Sequence, residues 1–175
     1  VVQAEKPFVV DSSYGGPEYE TIGSLGSTCG VSDIVAVSRA NELCNAHSLD
    51  TIGTGLAISF AMECFEEELI SIEDTGGIEM RFGNGEALCK TVDMIGRREG
   101  IGDLLAEGSL RAARKIGKDA EQYAMQVKGQ EFPAYDPRGI QGMGLAYATS
   151  PLHPGAIRYF EEAGYEVPDR LRPGS

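Results

Sequence analysis

Helical periodicity dominates this sequence and leaves little room for strands. Between residues 32 and 117, apolar side chains recur every three or four positions, and the apolar runs are separated by capping residues and glycines. No half of the chain is rich in the strand-forming runs that a parallel sheet would need. The predicted fold class is therefore mainly α, in which helices pack on helices.

Four helices are predicted from their cap residues and apolar faces. Ser32 is the expected N-cap of the first helix, and Asp50 is that of the second. Asn84 is expected to cap the third helix. Asp103 is expected to begin the fourth, which ends at Gly117 because glycine readily takes the conformation that stops a helix.

The segments around these helices are predicted to be extended or irregular. Residues 8–10 and 78–82 carry apolar side chains in patterns that suggest short strands. Residues 23–30 are rich in glycine and are predicted to be a loop in which the backbone comes close to another segment or to a ligand.

The character of the chain changes after Lys128. Residues 129–144 hold prolines and four glycines and suggest a long irregular connection, with short helices expected near 145–149 and 155–163. The predicted organisation is one helical domain over residues 1–128 and the start of a second over residues 129–175.

Composition restricts the classes of partner. The net charge is -12, with 15 basic and 27 acidic residues, which argues against nucleic acid and against an anionic membrane surface. No apolar run approaches the roughly 20 residues that span a bilayer. No signal peptide opens the chain, and Val1 stands where an initiating Met would, so a fragment or a processed chain is expected.

The four cysteines are spaced too widely for a typical metal site. They are 15, 20 and 25 residues apart, and no Cys-x-x-Cys pair occurs. They are interpreted as buried thiols in a reducing compartment, which predicts a cytoplasmic protein. The cysteines are, in chain order, Cys29, Cys44, Cys64 and Cys89.

Two short segments carry candidate chemistry. Glu18 and Glu20 flank a tyrosine beside the glycine-rich stretch, where a carboxylate in a dry pocket could act as a general acid or base. Two surface glutamates on a turn would give the same pattern. Between the first two helices, Asn45 and Asp50 could accept hydrogen bonds from an amino-heterocycle, although helix capping alone also explains Asp50. His47, between them, is interpreted as structural.

Several segments, in order along the chain, resemble the second and early third domains of the aldehyde ferredoxin oxidoreductase family. The resemblance covers roughly residues 14 to 152. The segments are 17–21 (PEYET), 26–33 (GSTCGVSD), 41–52 (NELCNAHSLDTI), 98–108 (REGIGDLLAEG), 128–138 (KGQEFPAYDPR) and 145–150 (LAYATS).

This resemblance implies a fragment of a large enzyme that oxidises aldehydes to carboxylic acids. The implied cofactors are a tungsten (or molybdenum) bis-pterin centre and a [4Fe-4S] cluster, and the implied partners are ferredoxin and a small-molecule aldehyde. A homodimer and an anaerobic context are further implications. The pterin dithiolene sulfurs would hold the metal, so the resemblance implies no protein ligand to it.

The resemblance also assigns roles to individual residues. Glu20 matches the family's active-site glutamate near tungsten, where it would handle a proton. The family's pterin motif, Asp-x-x-Gly-Leu-Asp, corresponds to residues 45–50, in which Leu49 and Asp50 match. Asn45 stands in place of the first aspartate and Ser48 in place of the glycine, so an acceptor is kept while a charge is lost.

Further departures keep two alternatives open. Arg158 stands where the family has a histidine near the metal, and His153 does not match that position. The cluster-binding cysteines would precede residue 1 and follow residue 175. The alternatives are a family relative with another substrate, such as an aromatic-ring reductase subunit, and a non-catalytic helical interaction module that keeps the scaffold.

Overall fold

The computed structural model describes residues 8–133, which lie within the first of two compact units of the chain, Val1–Ala134. The described residues form six α-helices and one small antiparallel hairpin, so the mainly α prediction is confirmed. The helices are α1 (Tyr19–Thr21), α2 (Ile34–His47), α3 (Thr51–Glu66), α4 (Gly85–Arg97), α5 (Ile101–Leu105) and α6 (Ser109–Ile116). A π-helix (Ile22–Thr28) continues α1, 3-10 turns lie at Ser12–Tyr14 and Ala120–Tyr123, and the strands are β1 (Gln126–Val127) and β2 (Gln130–Glu131). The predicted features beyond residue 133, including the short helices, the second domain, His153 and Arg158, lie outside the described residues.

Side-chain caps fix where the long helices begin. Asp50 and Asn84 accept hydrogen bonds from the backbone N–H groups three residues ahead, so both predicted caps are confirmed. The predicted N-cap of the first long helix was wrong by one residue. Asp33, and not Ser32, caps α2, because its extended backbone lets the carboxylate reach the amide of Val35 at 2.9 Å.

Helix α3 forms the centre of the described unit. It packs on the π-helix and also meets α4, α5 and α6. Each large apolar side chain buried in this core contributes about 1.5–3 kcal/mol relative to an exposed one. The largest fully buried apolar side chains include Leu25, Ile58, Met62, Met80, Leu88 and Leu105.

The glycine-rich stretch is helical as far as Thr28, so the predicted loop is wrong over residues 23–28, and only residues 29–30 form a turn. Its middle, from Ser24 to Gly26, is buried, with Leu25 fully enclosed in the core. In a π-helix each amide bonds the carbonyl five residues earlier, and in this pattern the amide of Val31 donates to the carbonyl of Gly26 at 2.9 Å. Burial against α3 outweighs the weak helix propensity of glycine here.

The two predicted strands are also wrong, because neither segment finds a partner ladder among the described residues. Around residues 78–82 the backbone bonds to side chains instead. The amide of Phe82 donates to Glu66 Oε1 at 3.1 Å, and Thr75 Oγ1 donates to the carbonyl of Ile78 at 2.6 Å. Residues 8–10 have no regular structure, and the next amide, of Asp11, donates to the buried Glu42.

The predicted fourth helix is divided into α5 and α6. Gly108, with φ of 87°, interrupts it, and Asp103 lies inside α5 and does not begin it. The predicted end at Gly117 is confirmed. The hairpin was missed. Its turn is Lys128-Gly129, where both residues have positive φ, as the tight turns favoured in hairpins require.

Three helix ends place a residue other than glycine in the left-handed conformation. Ser48, Glu68 and Arg98 have φ of 57°, 58° and 58°, respectively. At Glu68 the amide donates to Phe65 and the next amide donates to Cys64, which is the paired bonding that normally ends on glycine.

Replacing Glu68 with glycine should stabilise the protein by about 1 kcal/mol, because glycine has no Cβ to strain this conformation. Glu68→Ala is the matched control, since it removes the same carboxylate and keeps the Cβ. The measurement is the free energy of unfolding in denaturant. A Glu68→Gly variant no more stable than Glu68→Ala would contradict the interpretation.

A close approach joins α3 to the π-helix. A Cβ added to Gly55 would lie 2.6 Å from the carbonyl carbon of Ser24, closer than real Cβ contacts come.

Gly55→Ala should therefore destabilise the protein by about 2 kcal/mol through overpacking. Gly16→Ala, at a glycine with open space around it, should be nearly neutral in the same unfolding experiment. Equal stability of the two variants would show that the two backbones separate easily.

Candidate functional site

The segment between α2 and α3 is fixed by backbone hydrogen bonds at both ends. The amide of Ser48 donates to Asn45 at 3.2 Å, and that of Leu49 donates to Cys44 at 2.8 Å. Asp50 then caps α3, with its Oδ2 2.6 Å from the amide of Gly53. Ser48 thus takes the left-handed position that normally favours glycine.

Two acceptor oxygens remain at this junction. The Asn45 amide is held by Nδ2, which donates to the carbonyl of Asn41 at 2.8 Å and leaves Oδ1 as an acceptor. The Oδ1 of Asp50 accepts no hydrogen bond from the described residues, and both side chains are exposed. Leu49 lies between them and is half-buried. The junction can therefore accept hydrogen bonds from a ligand that carries amino groups.

Glu20 lies on α1, immediately before the π-helix, and is half-buried. Hydrogen bonds at the neighbouring residues tie this turn to the start of α3. Thr21 Oγ1 lies 2.9 Å from Thr51 Oγ1, and Ser24 Oγ is within bonding distance of the carbonyls of Glu20 (2.8 Å) and Thr51 (3.0 Å). Because Thr51 directly follows Asp50, the two predicted site segments are joined.

A cavity of about 380 Å³ opens beside the junction. Leu49 and Asp50 line it, whereas Glu20 and Asn45 do not. Its lining also includes Arg98 at the end of α4, Arg111 of α6, and residues of α3, α5 and the hairpin. The structure therefore brings two of the four predicted site residues into one cavity and holds the other two on adjoining backbone.

Glu131 links the hairpin to this cavity. Its Oε1 accepts hydrogen bonds from the amide (2.7 Å) and the hydroxyl (2.9 Å) of Ser109, so it caps α6 from 22 residues away. The second oxygen, Oε2, lies 3.9 Å from the point where a Cβ of Gly53 would stand. The carboxylates that cap α3 and α6 therefore face the same small region.

His47 has a structural role, as predicted. Its ring packs over Gly96 of α4, and its Nε2 lies 2.9 Å from Asp93 Oδ1. The other carboxylate oxygen of Asp93, Oδ2, pairs with Arg97 at 3.0 Å. Partial burial raises the pKa of Asp93, but the hydrogen bonds from His47 and Arg97 together outweigh it and leave the pKa below its usual value. Asp93 is thus a fixed anion that holds the end of α2 against α4.

All four cysteines are free and buried, as predicted. Burial raises the pKa of each thiol to about 12, so all four stay protonated near neutral pH. Within residues 8–133, no group of three or more His, Cys, Asp or Glu side chains is arranged to hold a metal ion. In the same range, no helix is long and apolar enough to cross a membrane.

Sequence reasoning missed the residues that hold the site together. In the sequence these are ordinary polar residues (Thr21, Ser24 and Thr51) and a glycine inside a helix (Gly55). Their role is not visible there, because the hydrogen bonds join positions 26 to 30 apart. Two signals were available: a glycine inside an otherwise apolar helix, and the glycine-rich stretch over residues 23–30. The predicted close approach of that stretch to another segment is confirmed by the contact between Ser24 and Gly55.

Comparisons with known proteins confirm the family resemblance of the sequence segments. The family described as "Aldehyde ferredoxin oxidoreductase, domains 2 & 3" matches residues 1–171. The tungsten-containing aldehyde ferredoxin oxidoreductase of Pyrococcus horikoshii is 46% identical over 138 residues, which is 77% of this chain and 22% of that protein. The "Aliphatic sulfonate oxidoreductase, WOR-like subunit" of Pyrococcus furiosus is 36% identical over 117 residues, which is 65% of this chain and 19% of that protein.

A solved structure shows the same fold. It is the active site complex BamBC of benzoyl coenzyme A reductase with 1,5 dienoyl-CoA, at a TM-score of 0.62 and 25% identity, covering 87% of this chain and 25% of that one. The chain spans about a fifth of the length of the curated relatives that it matches. With a family match along nearly its whole length and a relative 46% identical to it, the chain belongs to the aldehyde ferredoxin oxidoreductase family.

Proposed function

We propose that the intact protein oxidises an aldehyde to a carboxylic acid at a tungsten (or molybdenum) bis-pterin centre. Electrons would pass through a [4Fe-4S] cluster to ferredoxin, in the cytoplasm of an anaerobic cell, and the oligomer would be a homodimer. Family membership supports the class of enzyme. The observation that carries the proposal for this chain is the Thr21–Thr51 contact, which joins the Glu20 turn to the motif that ends at Asp50.

The residues at the junction fit a pterin. A pterin is an amino-heterocycle, so its edge needs hydrogen-bond acceptors from the protein. Asn45 Oδ1 and Asp50 Oδ1 are exposed oxygens that no described residue bonds, and a capped helix end fixes the backbone between them. Leu49 would offer an apolar contact to the ring.

The pterin-held metal supplies the two-electron redox chemistry when it is bound, and the chain supplies orientation and proton handling. When the cofactor is bound, Asn45 and Asp50 would hold the heterocycle by accepting hydrogen bonds from its amino groups. Glu20 holds or moves a proton at its carboxylate, which is the usual task of a half-buried acid at a reacting centre. The hydrogen bonds of Thr21 and Ser24 keep its backbone fixed on α3.

A relative with another substrate is the second candidate. The sulfonate oxidoreductase subunit and the benzoyl coenzyme A reductase complex are named for substrates other than aldehydes, although each contains a chain similar to this one. A panel of aldehydes, aliphatic sulfonates and aromatic coenzyme A thioesters, tested with the intact protein and a redox dye, separates the two. Turnover of aldehydes supports the first candidate, and turnover of only another class replaces it.

The interaction-module alternative is less well supported. One reason for it was that serine replaces the glycine of the family motif at position 48. Ser48 nevertheless adopts the left-handed conformation that ends a helix, and the hydrogen bonds of that helix end are present. The neutral side chain at Asn45 still presents an acceptor. These two observations support the cofactor-binding proposal over the interaction module.

Replacing Glu20 with glutamine in the intact protein should lower aldehyde turnover by about 100-fold or more, because the amide cannot exchange the proton. Tungsten content should not change, since Glu20 is proposed to hold no metal. Steady-state kinetics with metal analysis measures both values.

Glu18→Gln is the matched control for this experiment. Glu18 is exposed on the same turn and its side chain makes no cap hydrogen bond, so its loss should leave turnover within about twofold. Equal turnover of the Glu20→Gln variant and the wild type would remove Glu20 from the mechanism.

Restoring the family's charge at position 45 tests the cofactor contact. Asn45→Asp should slow the loss of pterin from the intact protein about fivefold, because a charged acceptor bonds an amino group more strongly than a neutral one. Ala46→Asp adds the same charge at the neighbouring exposed residue and should have no effect. The measurement is pterin released over time by chromatography with fluorescence detection. Identical release from the two variants would place the cofactor elsewhere.

A further inference from the structure

A buried thiol forms hydrogen bonds to both backbones at the crossing of α3 and the π-helix that follows Glu20. Cys29 directly follows the π-helix and is fully buried. Its sulfur lies 3.4 Å from the carbonyl oxygen of Ser24 and 3.3 Å from that of Gly55. One acceptor belongs to the π-helix and the other to α3, so this single proton donor serves the two elements together.

The crossing leaves room for little else. A Cβ on Gly55 would lie 2.6 to 2.8 Å from atoms of Ser24, so the two backbones touch without a side chain between them. The thiol of Cys29 lies within hydrogen-bonding distance of both carbonyl groups. Burial raises the pKa of Cys29 to about 12, so the group remains a proton donor throughout the working range of pH.

The crossing connects to the backbone of Glu20, whose carboxylate is proposed to be catalytic. The hydroxyl of Ser24 lies 2.8 Å from the carbonyl oxygen of Glu20 and 3.0 Å from that of Thr51. A shift of Ser24 relative to Gly55 would therefore move the backbone of Glu20 relative to the start of α3. Misplacement of a reacting group by about 1 Å is enough to lower a rate by about 100-fold.

We propose that Cys29 is a positioning residue, whose thiol fixes the Glu20 turn on α3 by donating to the carbonyl groups of Ser24 and Gly55. This role rests on the function proposed for Glu20. It is separate from metal binding, because the sulfur faces two backbone oxygens in the core. It also differs from core filling, because it depends on the proton that the thiol donates to the two carbonyl groups.

The test compares three variants of the intact protein. Cys29→Ala removes the donor, and Cys29→Ser keeps one. Cys89→Ala is the matched control, because Cys89 is also a buried thiol that bonds one helix carbonyl, that of Ala36 at 3.4 Å, away from the Glu20 turn. Turnover is expressed per bound tungsten, so any loss of folded or loaded protein does not enter the comparison.

Cys29→Ala should lower kcat about tenfold with KM unchanged, and Cys29→Ser should restore it to within about threefold of wild type. Cys89→Ala should leave kcat per tungsten unchanged. A purely structural thiol would give the opposite pattern, in which both alanine variants lose stability and neither changes kcat per tungsten. That result would overturn the proposal.

Amide hydrogen exchange provides a readout that does not depend on activity. Cys29→Ala should speed exchange over residues 19–28 by about tenfold, while Cys89→Ala should not. Unchanged exchange in Cys29→Ala would overturn the thiol bridge even if aldehydes are oxidised. Conversely, a wild-type protein that turns over no aldehyde would refute the proposed function, and the exchange comparison would still decide the bridge.

Discussion

The contact between α3 and the π-helix at Gly55 and Ser24 is the constraint on which the rest of the site depends. The two backbones touch there, since a single methyl group on Gly55 would overlap Ser24. The hydroxyl of Ser24 and the thiol of Cys29 then bond across the contact. As a result Glu20, which the sequence places far from α3, has a fixed position beside the start of that helix.

The same helix carries the second half of the site at its N-terminus. Asp50 caps α3 with one carboxylate oxygen, and no described residue bonds the other, while Glu131, which lines the same cavity, caps α6. From the sequence, helix capping and ligand binding were alternative roles for Asp50, but the structure makes them compatible. In the structure one oxygen of the carboxylate is used for the cap, and the other is available for an amino-heterocycle.

Local patterns predicted the parts of this fold that depend on local chemistry. The caps at Asp50 and Asn84 and the burial of the cysteines followed from residue type and periodicity. The π-helix could not be predicted, because glycine and serine favour a loop until burial of Leu25 against α3 reverses the balance. For the site, the resemblance supplied Glu20 and residues 45–50 as candidates, but the Thr21–Thr51 contact that joins them spans 30 positions and leaves no periodic signal.

The metal content of the intact protein tests the central claim most directly. The claim is that this chain forms one side of a tungsten bis-pterin site, with its carboxylates and amides facing the cofactor. Purification without oxygen and mass spectrometry should find about one tungsten (or molybdenum) and four iron atoms per chain, as one bis-pterin centre and one [4Fe-4S] cluster require. Protein that is folded but contains neither tungsten nor molybdenum would contradict the account, and the scaffold would then be a binding module that has lost its cofactor.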